Sequence, residues 1–273
     1  MPLMHVRFIL IVLLIVTGAF VGACEKTAEL DAFTVETAVG PAGSLLVLGE
    51  CALADGVQVL VHAVGGEAYG AHLETAVLTP VVAGRYYADV GVYDPLLYRV
   101  EVAVSPRYNR HVALPAAAPS FADPELRVRE AKDDWEIYRQ VSHRLGTPEQ
   151  ERQHLRYRLA ALGEASDVLA RFAGQLREIE TTHKGLARWY RLYWDNRHKT
   201  RLAKPGIDTL YPALHNHLLK ADEVLQRRFH AILAATTGET DESDRMDASW
   251  ELLENRLVRV TRDLADLRQK LPD

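Results

Sequence analysis

Three acid–histidine pairs are the residues best suited by type and spacing to chemistry. Glu151 and His154, Glu180 and His183, and Asp195 and His198 each lie three apart. On a helix that spacing puts carboxylate and imidazole on one face. A dimetal centre in a helical protein takes two Glu-x-x-His pairs plus a glutamate from each of two other helices, all pointing inward. Here the first two pairs are 29 residues apart. On one continuous helix they would be separated by about 43 Å and would share no ion. The other apolar stripes offer no two inward glutamates, so solvated or seam-edge side chains are the expectation and no metal or cofactor is assigned. His215 and His217 fall on opposing helix faces. His62, His72 and His111 are scattered, and the only thiol near them is Cys51, so a copper site is not expected.

Other catalytic patterns are sparse. No serine sits in a Gly-x-Ser-x-Gly elbow, and Gly65-Gly66 reads as a hairpin turn rather than a phosphate loop. A non-catalytic role is expected. The binding feature with most content is aromatic and basic: Trp189, Tyr190, Tyr193 and Trp194, interleaved with Arg188 and Arg191 and followed by Arg197, Lys199, Arg201 and Lys204. Such a surface stacks on sugars or meets anionic headgroups. The competing reading is that the aromatics fill a helical core while the basic groups are solvated.

The address of the protein is written in residues 1–24. His5 and Arg7 precede an almost wholly apolar run from Phe8 to Val21, then Gly22, Ala23 and Cys24. The run suits a signal h-region and is short for a membrane span, which needs ~20 apolar residues. This segment resembles the lipobox signal peptide of bacterial lipoproteins. In that family signal peptidase II cuts before the cysteine, and the thiol carries a diacylglycerol. The resemblance implies a mature chain that starts at Cys24 and is tethered to the cell envelope by acyl chains. In the family, Asp directly after the cysteine favours inner-membrane retention; Glu25 stands there, which implies the outer membrane of a diderm cell. With Cys24 acylated, Cys51 has no disulfide partner and reads as a small buried hydrophobe. An extracytoplasmic address and a formal net charge of −5 argue against nucleic acid.

Composition divides the remainder. Residues 25–123 carry a net charge of −7 and residues 124–273 a net of +1. The Pro/Ala-rich run 115–123 reads as a semi-rigid linker. Before it the hydrophobic period is two, as in Val57, Val59, Val61 and Ala63 and in Tyr98, Val100, Val102 and Val104. Turn signals separate about seven short strands, near 32–39, 44–52, 56–64, 72–79, 84–90, 96–104 and 109–114. This spacing predicts an antiparallel β-sandwich over 24–114, similar in pattern to immunoglobulin-like and transthyretin-like modules.

After the linker the period turns helical. Four stripes are expected: Val128, Ala131, Trp135, Tyr138 and Leu145; Leu155 through Leu176; Leu214 through Ile232; and Met246, Trp250, Leu253, Leu257, Val260, Leu264, Leu267 and Leu271. The last is an unbroken 4-3 seam. Asp123-Pro124 and Thr147-Pro148 read as helix starts, Gly146 as the close of the first helix, and Asp208 as a cap for the fourth. The stripe from 155 runs in phase through Tyr193, and Gly185 favours a break within it. The fold expected is α+β: a sandwich, then an antiparallel helical bundle over 124–273. The function expected is a lipid-anchored envelope lipoprotein that binds, scaffolds or assists, through a protein partner or self-association, with the 246–271 seam as docking surface. Alternatives are an envelope-glycan or peptidoglycan module using Trp189–Trp194, and a ferritin-like metalloprotein.

Overall fold

Segments of period two become strands in the computed structural model, which describes residues 33–112, 114, 118, 123–131, 134–182, 184–199, 210–238 and 249–271. The chain is mixed α+β. A three-stranded antiparallel sheet has the order β1 (Glu36–Val39), β2 (Leu45–Glu50), β5 (Arg85–Asp89). A five-stranded antiparallel sheet has the order β4 (Leu73–Pro80), β3 (Gln58–Gly65), β6 (Leu97–Val104), β8 (Asp134–Arg144), β7 (Arg127–Ala131). Alternation sets the faces: Val59, Val61 and Ala63 of β3 are fully buried while Gln58, Leu60 and His62 between them are half-buried. Val100 and Val102 on β6 continue the inward row, and Leu45 and Val47 of β2 join it from the smaller sheet.

Four helices follow: α1 (Pro148–Thr182), α2 (Leu186–Lys199), α3 (Pro212–Thr237) and α4 (Trp250–Lys270). The start of α1 is a reciprocal capping box. Gln150 N–H donates to Thr147 Oγ1 (3.2 Å), and Thr147 N–H donates to Gln150 Oε1 (2.8 Å). Pro148 occupies the first helical position, where its missing N–H costs nothing. The interruption expected near Gly185 is present: α1 ends at Thr182 and Gly185 has φ 86°. Arg177 pairs with Glu254, and Gly163 abuts Arg268, so α1 and α4 run in opposite directions. Sheet and helix side chains belong to one continuous hydrophobic core, from Leu45 and Val61 through Leu145 and Leu155 to Leu225 and Leu264.

The sequence reading of 124–145 as a helix is overturned. Those residues form the β7–β8 hairpin, with Val128 opposite Ile137 and Glu130 opposite Trp135, and β8 then pairs with β6 from Leu97↔Arg144 to Val104↔Ile137. A second periodicity was present in the same residues. Trp135 and Ile137 alternate with Glu136 and Tyr138, and both are buried. This aromatic and β-branched alternation, joined to the sheet's ladder, outweighs a loose 3-4 spacing. The charge boundary near 120 therefore falls inside the sheet region, and the helices begin at 148. Gly146 (φ 74°) links strand to helix rather than closing a helix. The described residues 109–112 and 114 of the expected seventh strand also form no strand. Asn109 closes the 3-10 turn Pro106–Tyr108; its side chain accepts from Gln58 N–H (2.5 Å) and donates to Ser105 O (3.0 Å). Cys24, the signal segment, Met246 and Asp208 lie outside the described residues; α3 begins at Pro212 after Tyr211.

Candidate functional site

The Glu-x-x-His pair on α1 is a structural joint rather than a metal half-site. Glu151 is 1% exposed. Its Oε1 accepts from the backbone N–H of Leu97 at 2.9 Å, and its Oε2 is ion-paired with Arg144. One carboxylate thus ties the first turn of α1 to the start of β6 and the end of β8. A negative charge at a helix N-terminus is also favoured by the macrodipole. One turn on, His154 Nε2 meets Asp94 Oδ1 at 2.8 Å. That hydrogen bond holds the Asp94 carboxyl below its usual range, with the charges of His154 and Arg158 adding to it and burial opposing. Glu180 sits at the far end of the same helix, 29 residues away, taken up by Arg228 and by Trp250 Nε1–H (2.6 Å). Glu151 and Glu180 share no site, His183 lies outside the described residues, and no group of three or more His, Cys, Asp or Glu side chains among the described residues is placed to hold a metal.

The aromatic cluster divides by face. Trp189 and Tyr193 are 3% and 1% exposed. Trp189 stacks on Tyr193 (4.9 Å between centroids) and on Phe229 (5.4 Å), Phe172 meets it edge-on, and its Nε1–H donates to Phe172 O at 3.0 Å. Tyr193 Oη donates to Asp222, a fully buried carboxylate that also accepts from Arg197 Nε and Gln226 Nε2, both at 2.7 Å. Burial and the Asp222 charge push the Tyr193 phenol far up, so it stays a donor. These two aromatics therefore belong to the core and not to a ligand surface. The reason is helical geometry: residues four apart share a face, and that face points at α1 and α3. Tyr190 and Trp194 sit half-buried at the edge of the same cluster, while Arg188 and Arg191 are exposed.

The α4 seam is likewise consumed within the chain. Leu253, Val260 and Leu264 are buried, and Trp250, Leu257 and Leu267 pack half-buried against the same core. The buried side of the expected 246–271 docking seam is thus covered within the chain, while Trp250, Leu257 and Leu267 keep part of their surface open. A 4-3 repeat reports that a helix has a partner; here α1 and α3 supply it. Cys51 is fully buried, and burial pushes its thiol up to about 11.

One open concave feature is a groove of about 600 Å³ where α1 meets the sheets. One wall is the 91–96 turn with Tyr93 and Pro95; the other is the first turns of α1 with Gln150, Gln153, His154 and Tyr157. Those four stand at i, i+3, i+4 and i+7, a single face. Val39, Tyr93 and Tyr157 converge on it, three of the eleven large hydrophobics that are exposed among the described residues. A larger groove of about 770 Å³ lies over β2 and β5; in its lining Tyr86 Oη donates to Thr34 O (2.5 Å), Thr79 Oγ1 to Tyr87 O (2.6 Å), and Arg85 pairs with Glu50. In the sequence Tyr93-Asp94-Pro95 carries only a turn signal, between the strands expected at 84–90 and 96–104. The face 150, 153, 154, 157 was legible, since it lies beside the buried stripe Leu155, Leu159, Leu162.

No described helix is long and apolar enough to cross a membrane. The chain matches no protein-family model, no curated protein and no solved structure.

Proposed function

We propose that this chain is a lipid-anchored cell-envelope protein with a non-catalytic binding, scaffolding or accessory role. The observation that carries the proposal is the order of the first 24 residues: basic start, apolar run, Gly22-Ala23-Cys24. Two or three acyl chains on Cys24 hold a protein stably, since each buried methylene contributes about 0.8 kcal/mol while a single chain binds only marginally. Glu25 favours the outer membrane. The two sheets are read as the faces of one sandwich and the four helices as an antiparallel bundle built onto its end. The single core running through both supports a rigid platform rather than two tethered modules.

Because the buried side of the α4 seam is engaged internally, a protein partner or a second copy would meet its half-buried residues Trp250, Leu257 and Leu267 or another surface. The test is mass spectrometry of the protein extracted from its native membrane. Cys24 is expected as the first residue, with its thiol and amine acylated. An unmodified thiol, or a soluble uncleaved precursor, would overturn the anchor and the location with it. Size-exclusion and crosslinking of soluble protein beginning at Glu25 test self-association.

The second reading, an envelope-glycan module, gains a specific observation. It moves from Trp189 and Tyr193, which are interior, to the open groove beside α1.

A further inference from the structure

We propose that the groove between the 91–96 turn and the first turns of α1 is a binding site for an uncharged carbohydrate chain. The proposal deepens the glycan reading and rests on it for biological context, but not on the lipid anchor. Two large rings are left in water on one concavity: Tyr93 is 59% and Tyr157 66% exposed. A scattered exposed aromatic asks for no explanation, whereas rings converging on a cleft do. A phenol ring offers a flat apolar face to the C–H face of a pyranose and a hydroxyl at its edge.

The polar groups between the rings are already held. Gln150 is fixed by its capping box with Thr147. Gln153 Nε2 donates to Glu149 (3.1 Å), and His154 is fixed by Asp94 (2.8 Å). A ligand therefore meets groups whose rotamer freedom is already spent, which lowers the entropic cost of binding. Their backing is rigid too, because Glu151, next to Gln150, is bonded to Leu97 and Arg144.

The lining also selects the ligand class. Among the described residues no lysine or arginine lines the groove, so its lining presents no fixed positive charge to attract a phosphate or carboxylate. Asp94, between the lining residues Tyr93 and Pro95, is engaged by His154 Nε2 at 2.8 Å. Amides, an imidazole and phenols exchange directional hydrogen bonds with hydroxyl and acetamido groups, and Val39, Pro95 and Leu145 beside them suit the C–H faces of a sugar. The volume is within the range of small-molecule clefts.

The test uses soluble protein beginning at Glu25, titrated with neutral tetrasaccharides of glucose and of N-acetylglucosamine. Binding is read by calorimetry and by amide chemical-shift changes. At least one probe is expected to bind, with shifts centred on residues 93–96 and 150–157. Tyr157→Ala and Tyr93→Ala should each weaken binding at least tenfold without changing the melting temperature, since both rings are exposed. Tyr87→Ala, an exposed tyrosine elsewhere, should bind as wild type. The site is overturned if neither probe binds at millimolar concentration, if shifts fall outside the groove, or if both groove variants bind unchanged. Because the protein assayed carries no lipid, failure here leaves the anchor reading intact, and an unacylated Cys24 leaves this site intact.

Discussion

Removing the Glu151 carboxylate tests whether α1 and the sheets are one unit. Glu151→Ala deletes a buried charge-assisted acceptor for Leu97 N–H and the ion-pair partner of Arg144. Hydrogen bonds to charged groups are each worth about 1.5–3 kcal/mol. Breaking a buried ion pair costs about 3–5 kcal/mol when the remaining charge has no water. Arg144 is 29% exposed and recovers some hydration, so the lower end applies and the expected loss is about 3 kcal/mol. At about 2–4 °C per kcal/mol for a chain of this size, the melting temperature should fall by about 6–12 °C. Glu151→Gln keeps an Oε1 acceptor for Leu97 but also breaks the ion pair with Arg144, so it should lose about 1 kcal/mol less than the alanine variant, the share of the Leu97 hydrogen bond. Thermal and urea denaturation of protein beginning at Glu25 give the two values, and hydrogen exchange at the Leu97 amide separates them: protection lost in the alanine variant, retained in the glutamine one. An alanine variant within 1 kcal/mol of wild type, or equal losses in both, would refute the role assigned to this carboxylate.

The remaining predictions concern titration and backbone. The Cys51 thiol, pushed up to about 11 from 9.0 by burial, has a raised folded-state value; its contribution is present below pH 9 and is lost as pH climbs towards 11. Wild type should therefore lose more stability than Cys51→Ala across that window, and native protein at pH 8 should resist thiol reagents until denatured. Asp94 has the opposite sign: its depressed value contributes stability above the ordinary 3.8 that is lost as pH falls below it. Acid denaturation of Asp94→Asn, followed by circular dichroism, should show a shallower loss below pH 4 than wild type. Gly146 holds φ 74°, and an added Cβ would sit 2.6 Å from Gln150 Oε1 and 3.1 Å from Pro95 Cβ. Gly146→Ala should cost about 1–3 kcal/mol, measured by denaturant midpoint, while Gly238→Ala, with open space around it, should cost less.

Much of the fold was legible because its apolar residues repeat cleanly. Six of the seven expected strands exist, and every residue of the stripes Leu155–Leu176 and Leu214–Ile232 is buried. The misreading at 124–145 has a definite physical origin. Val128, Ala131, Trp135, Tyr138 and Leu145 fit a helical wheel, but Trp135 and Ile137 also fit a strand, and a one-dimensional pattern does not register the unpaired edge of β6 that β8 satisfies. Proline and a net-charge change near 120 then looked like a domain boundary. Tertiary hydrogen bonding decided the matter, as it does whenever propensities are nearly balanced.

The site was less legible, for a different reason. Chemistry-bearing residue types are also the types that solve structural problems at element junctions. Glu151 and His154 have the spacing of metal ligands because both must leave one helix face within one turn, and docking a helix onto a sheet edge makes the same demand. Trp189 and Tyr193 have the spacing of a stacking platform because both must reach one core. What separates the two roles is whether each polar atom and ring face is already engaged, and that is set by partners 54 to 60 residues away: Leu97 for Glu151, Asp94 for His154. Tyr93 and Tyr157 show the converse. Each looks unremarkable in its own segment, one in a turn and one on a helix, and the α1–sheet joint, tied by Glu151 to Leu97 and by His154 to Asp94, sets them on the walls of one cleft. If that joint sets the cleft, Glu151→Ala should weaken oligosaccharide binding while leaving both tyrosines in place, whereas Gly238→Ala, remote from it, should not.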